Sequence, residues 1–140
     1  MEIEKLNEAI TEIAEKRAAL TKLKKGDERY DLVRNDLDHL EAEFKENYYA
    51  DMNEILYHVH DEFCPDNEVW SPIKYFAEEY TIGDGGKYTA AKDQGLKVQV
   101  DDFNGKECRL VILPSPARIE LRVDGEPTIV AWHMDKEKTV

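Results

Sequence analysis

The stretch Cys108-Arg109-Leu110-Val111-Ile112-Leu113-Pro114-Ser115-Pro116-Ala117-Arg118-Ile119-Glu120-Leu121-Arg122-Val123 decides the fold. Cys108, Leu110 and Ile112 form one apolar set at period two, and Ile119, Leu121 and Val123 form the next, which is strand patterning. Directly opposed residues of an antiparallel pair share a face, so the turn is fixed by which residues must meet. A four-residue loop Pro114–Ala117 sets Ile112 opposite Ile119 and Leu110 opposite Leu121. Upstream, Leu96, Val98 and Val100 alternate with Lys97, Gln99 and Asp101. A two-residue Asn104-Gly105 turn would put the faces out of phase. A three-residue loop Phe103-Asn104-Gly105 instead pairs Val100 with Cys108 and Val98 with Leu110. Downstream, a loop Asp124–Pro127 pairs Leu121 with Val130 and Ile119 with Trp132, and keeps Pro127 out of the ladder. Met134 closes the last apolar set. The reading is a four-stranded antiparallel meander over 95–134 with one apolar face that helices must cover.

Those helices stand before Cys64-Pro65. All five prolines and six of the seven glycines come after that point. The first helix is expected from Ile3 to Lys24, with Ile3, Leu6, Ile10, Ile13 and Leu20 at three-four spacing, interrupted by Arg17. Lys22, Lys24 and Lys25 suit its last turn, and Gly26 supplies a left-handed stop. Asp27 then reads as the N-cap of a second helix with Glu28 in its first turn. Its stripe runs Tyr30, Val33, Leu37, Leu40, Phe44, Tyr48, Met52, Ile55, Val59 and Phe63. After Phe44 steps of four predominate and drift the stripe round the helix, and a change of period marks a change of packing partner. Residues 28–48 therefore pair antiparallel with the first helix, and residues 50–63 dock on the second half of the chain. Ser71-Pro72 starts a short third helix with Ile73, Phe76, Ala77 and Tyr80 on one face, ending at Gly83. A short strand is expected at Lys87–Lys92.

The predicted class is thus α+β in one domain over 1–140. A coiled-coil-like helical hairpin covers 1–64, a short helix and loops 65–94, the sheet 95–134 and a flexible tail 135–140.

Composition narrows the function. The 140 residues carry 19 basic and 31 acidic groups, a net charge of −12, and mean hydropathy is −0.66. Such a charge repels nucleic-acid backbones and anionic membranes, so direct binding to either is not expected. No apolar run approaches the roughly 18 residues of a membrane span. The N-terminus lacks a secretory pattern, and two isolated cysteines suggest a reducing cytoplasm.

The densest ligand cluster is His58-Val59-His60-Asp61-Glu62-Phe63-Cys64. It is similar to the H-x-H-x-D-H motif of the metallo-β-lactamase family, with the aspartate one place early and the final histidine absent. On a helix His60 and Cys64 are i, i+4 and could share a metal, whereas His58 and Glu62 fall on nearly the opposite face. A small metal-dependent hydrolase would use this segment, with His58 or Asp61 joining. A Cys108–His133 pair is forbidden by register, and no nucleophile elbow or phosphate-cradling glycine motif occurs. No catalytic constellation and no cofactor are expected.

Two surfaces are candidates for a protein partner. On the outer sheet face the register sets Arg109 opposite Arg122, Arg118 opposite His133 and Val111 opposite Glu120, with Ile129 and Ala131 alongside. Arginine beside exposed Val111 is typical of interfaces. On the hairpin, Glu2, Glu4, Glu8, Glu12 and Glu15 with Asp31, Asp36, Asp38, Glu41, Glu43 and Glu46 make a negative rod. Residues 1–64 hold nine basic and seventeen acidic groups. Such a rod could occupy a basic channel that normally takes nucleic acid.

In outline, a helical hairpin followed by a small β-rich region looks like the Gre-type transcript-cleavage factors. Those reach into RNA polymerase and present acidic residues at the hairpin tip. The resemblance would place Asp27, Glu28 and Asp31 there, although Lys25-Gly26-Asp27-Glu28-Arg29-Tyr30-Asp31 does not reproduce the family's motif. The sequence reading is an acidic, non-enzymatic interaction module that regulates or inhibits a larger partner, with self-association through the hairpin as a further expectation.

Overall fold

The computed structural model describes residues 2–137. Two helices, α1 (Ile3–Leu20) and α2 (Glu28–Phe63), precede two antiparallel sheets. The smaller sheet pairs β1 (Thr81–Ile82) with β2 (Tyr88–Thr89). The larger runs β3 (Leu96–Val98), β4 (Cys108–Leu113), β5 (Arg118–Val123) and β6 (Ile129–His133) in sequential order. The fold is mixed α+β, as the change of period predicts.

α1 stops at Leu20 rather than Lys24. The Thr21 hydroxyl donates to Ala18 O, and Lys22 and Leu23 make tight i to i−3 bonds, so the expected terminal lysines lie in the turn. Gly26 takes φ +95°, and the Asp27 carboxylate accepts from Arg29 N–H at 2.9 Å to start α2. Lys16 with Asp36 and Arg17 with Glu41 join the two helices antiparallel. Leu6, Ile10, Ile13, Leu37 and Phe44 are buried between and beneath them. Beyond Phe44, Met52, Ile55, Leu56 and Val59 are buried in the same cluster as the inward strand residues.

The expected third helix is one 3-10 turn, Pro72–Tyr75, and Ser71 makes no side-chain cap. From Phe76 the chain is extended, because β3 is too short to cover β4 and the edge beside Ile112 stands open. Phe76 bridges Ile112 in parallel, and the Tyr80 hydroxyl accepts from Ala77 N–H and donates to Ile112 O at 2.7 Å. A helix there would have left those strand groups without partners. Of the expected strand 87–92 only Tyr88–Thr89 forms, paired with Thr81–Ile82.

The β4–β5 register is as read: Ile112 faces Ile119, Leu110 faces Leu121 and Arg109 faces Arg122. The β3–β4 register differs by two residues, with Val98 opposite Cys108 and Leu96 opposite Leu110. A shift of two keeps every side chain on its face, so period alone could not separate the registers. The Asn67 amide settles it by taking both backbone groups of Gln99, accepting from its N–H at 3.0 Å and donating to its C=O at 2.7 Å. Between β5 and β6, Ile119 faces Trp132 as expected, but a bulge then sets Glu120 opposite Val130 and Leu121 opposite Ile129. Val130 is exposed, Ile129 packs on the core and Ala131 is buried. Residues 134–137 form a 3-10 turn, which takes in the start of the expected tail 135–140, and residues 138–140 lie outside the described residues.

Candidate functional site

Glu8, Glu12 and Glu15 stand three and four apart on α1 and share one exposed stripe, as helical spacing requires. α2 runs alongside and offers Asp36, His39, Leu40 and Glu43 at matching spacing. Between them lies a cleft of about 300 Å³ lined by Glu12, Glu15, Lys16, Asp36, His39 and Leu40. A second cleft of about 230 Å³ shares Glu12 and Leu40 and runs on past Glu8 and Ala9 to Phe44 and Tyr48. Together they make one groove with acidic walls and an apolar floor. Its two lysines are already engaged, Lys16 with Asp36 at 3.6 Å and Lys5 with Glu2 at 2.8 Å. The acidic stripe was legible in the sequence, while His39 and the floor residue Leu40 were not. Leu40 reads as an ordinary stripe residue, and only the helix pairing leaves it half-buried at the groove.

The opposite side of the helix pair is partly covered by the segment after Phe76. The Arg17 guanidinium donates to Glu41 Oε1 at 2.7 Å and to Ala77 O at 2.7 Å, and it lies 5.6 Å from the centre of the Phe76 ring. Ala77–Glu79 thus lies against this side and leaves a cleft of about 560 Å³ toward the turn, lined by both signs of charge, Arg17, Lys25 and Arg34 with Glu41, Glu78 and Glu79. The groove on the other side is the one whose exposed walls are mainly acidic.

At the turn between the helices Asp27 is committed to capping. It also accepts from the Arg29 guanidinium at 3.1 Å, which holds its carboxyl below the usual value. Glu28 and Asp31 are exposed beside it.

The arginine face is built differently from the sequence expectation. Val111, expected to be exposed, is fully buried, and so is Leu113. The segment Ala90–Gly95 crosses this face of the sheet: Arg122 donates to Ala90 O and Ala91 O, and Arg109 donates to Gly95 O at 3.0 Å. Glu120 binds both Arg118, at 2.9 Å, and Arg122, at 3.0 Å. Arg118 also donates to Pro114 O and Pro116 O. These guanidiniums anchor loops to the sheet, with side chains 13–22% exposed.

His60 and Cys64 do share a face, but their donor atoms are taken or silenced. His60 is 2% exposed. Its Nδ1–H donates to Asn67 O at 3.1 Å, and its Nε2 accepts from the Tyr75 hydroxyl at 2.8 Å. The Tyr75 oxygen in turn accepts from Trp70 N–H at 3.0 Å. Burial pushes the Cys64 thiol up to about 11, so it is neither a ready ligand nor a nucleophile at neutral pH. His58, Asp61 and Glu62 point to solvent. Among the described residues no three His, Cys, Asp or Glu side chains come together as a metal site. The expected metal pair is instead a clasp that ties the 64–75 loop to the end of α2.

That clasp has a pH signature. Burial holds the His60 imidazole below its ordinary 6.5, against the opposing effects of Asn67 O and Asp61. The unfolded chain takes up a proton near that value which the folded chain resists. The contribution is complete above pH ~6.5 and is lost as pH falls toward the folded value. The stability gap between wild type and His60→Phe, followed by urea titration, is expected to narrow between pH 7.5 and pH 5. A gap independent of pH would contradict the neutral, doubly bonded imidazole.

No protein-family model, curated protein or solved structure matches the chain. Among the described residues no helix is long and apolar enough to cross a membrane.

Proposed function

We propose that this chain is a non-enzymatic interaction module whose acidic helix-pair face binds a basic surface on a larger protein and thereby regulates or inhibits it. One observation carries the reading: Glu8, Glu12, Glu15, Asp36 and Glu43 line a single continuous groove on one side of the pair, whereas the cleft on the other side mixes basic and acidic groups. The arginine face, the competing surface, spends its guanidiniums on its own loops. In this reading the pair acts as a coiled-coil-like arm held at its base by Arg17 and at its far end by the sheet. A basic channel that normally takes nucleic acid is one such partner surface, because a negative arm speeds encounter with a positive cleft.

The test is a partner screen at low salt followed by titration to high salt. Exposed charges are screened beyond about 10 Å at 0.1 M salt, so binding is expected to weaken steeply as salt rises. The triple variant Glu8→Lys/Glu12→Lys/Glu15→Lys is expected to lose at least tenfold in affinity. Glu54→Lys/Asp61→Lys/Glu62→Lys, the same charge change on exposed positions of the far half of α2, keeps binding. Equal loss in both variants would mean that net charge, and not this face, is what a partner reads.

A further inference from the structure

We infer that the open groove of the helix pair is a docking site for a basic amphipathic helix, about three turns long, presented by the partner protein. The inference rests on the acidic-face reading above and adds the shape and chemistry of what binds. Two packed helices bury only one side of each and leave a valley along their seam, which is where a third helix seats its own ridge. On one side of this pair Ala77–Glu79 and the Arg17 contacts narrow the valley to a cleft of mixed charge, with Lys25 and Arg34 facing Glu41, Glu78 and Glu79. On the other side the groove is open among the described residues, and its floor is Ala9, Leu40, Phe44 and Tyr48. The lining runs from Lys5 to Lys16 on α1, which at 1.5 Å per residue is roughly 17 Å, the length of about three helical turns.

Charge selects the occupant. The walls carry Glu8, Glu12, Glu15, Asp36 and Glu43, and both wall lysines are already paired. Glu8 and Glu12 are i, i+4 on one helix and Glu12 and Glu15 are i, i+3, spacings at which like charges cost helix stability unless a cation comes between them. A second copy of this chain, at −12, would bring carboxylates against carboxylates. An extended peptide is also disfavoured. Helix surfaces offer no free backbone N–H or C=O to pair with it, whereas a helix satisfies its own. The fitting ligand carries a leucine-like stripe for the floor and Lys or Arg on both flanks for the walls.

The probe is a synthetic peptide of about 14 residues with leucines at i, i+3, i+4, i+7 and flanking lysines. Its comparator has the same composition, scrambled so that no apolar face forms. With the full chain at 0.1 M salt, titration calorimetry is expected to show the patterned peptide binding at least tenfold tighter than the scrambled one. Leu40→Asn, and to a smaller degree Leu40→Ala, removes that preference while leaving the scrambled peptide unaffected. Glu8→Lys/Glu12→Lys/Glu15→Lys weakens both peptides at least tenfold, with folding checked by circular dichroism. If both peptides bind equally and only the charge variant matters, the helix inference falls and the acidic-face reading stands. If neither peptide binds, or if Glu54→Lys/Asp61→Lys/Glu62→Lys loses as much, both fall. A chain that sediments as a dimer, and becomes monomeric in the triple glutamate variant, would give the groove to a second copy and overturn the proposal.

Discussion

Gly95→Ala is expected to destabilise the fold by about 3 kcal/mol or more, the largest loss anticipated from a single methyl group in this chain. Gly95 sits at φ +98° just ahead of β3, where the Ala90–Gly95 segment comes down on β4. A Cβ added there would lie 2.4 Å from Leu110 O and 2.8 Å from Val111 Cβ. The first neighbour is strand backbone and the second belongs to a fully buried side chain, so neither yields cheaply. The Gly95 carbonyl also accepts from Arg109, so a shift of the loop costs that bond as well. Denaturant unfolding is the measurement, with Gly105→Ala as the comparison. Gly105 also has positive φ, but a Cβ there meets nothing within 4 Å. A Gly95→Ala loss no larger than that of Gly105→Ala would show that the loop does not press on the strand.

Arg17→Met is expected to cost about 2–3 kcal/mol, below the 3–5 typical of a fully buried pair because both partners keep some solvent contact. The arginine and Glu41 side chains are 13% and 17% exposed. Removing the guanidinium leaves the Glu41 carboxylate poorly solvated and Ala77 O without its donor. It also removes the cation beside Phe76. The double variant Arg17→Met/Glu41→Met is expected to recover part of the loss, since a missing pair is cheaper than a stranded charge. Strict additivity in that double-mutant cycle would mean the two residues do not act as a pair.

Arg17 illustrates where sequence reasoning ran out on the binding face. In the pattern it is only an interruption of an apolar stripe, and nothing nearby in sequence explains it. Its partners, Glu41 and Ala77, are 24 and 60 residues away. Once placed, it shows which side of the helix pair takes the chain after Phe76 and mixes its charges, and which side keeps an acidic wall. Glu8, Glu12 and Glu15 could be read as one stripe because helical spacing is local. That Asp36, Glu43 and Leu40 complete a groove with them depends on the rotation of α2 about its axis. His60 is the converse: the i, i+4 spacing with Cys64 was read correctly, but its ring nitrogens are claimed by a loop residue and by Tyr75, fifteen positions on.

Local periodicity, caps and turn chemistry by themselves determined the two helices, the Gly26-Asp27 break between them and the four-strand order. They also determined the β4–β5 register, because each depends on residues a few positions apart and on a period that differs between helix and strand. Tertiary structure decided the rest. The β3–β4 register was decided by Asn67, since a two-residue slip leaves the apolar pattern unchanged. The chain left the helix after Tyr75 because the open edge of β4 needed partners more than Phe76, Ala77 and Tyr80 needed a helix. Val111 went from exposed to buried because Ala90–Gly95 folds over the sheet, an event no alternation pattern records. In each case the deciding bond joins residues more than thirty positions apart or a loop to a strand, and such bonds leave no mark on the local pattern.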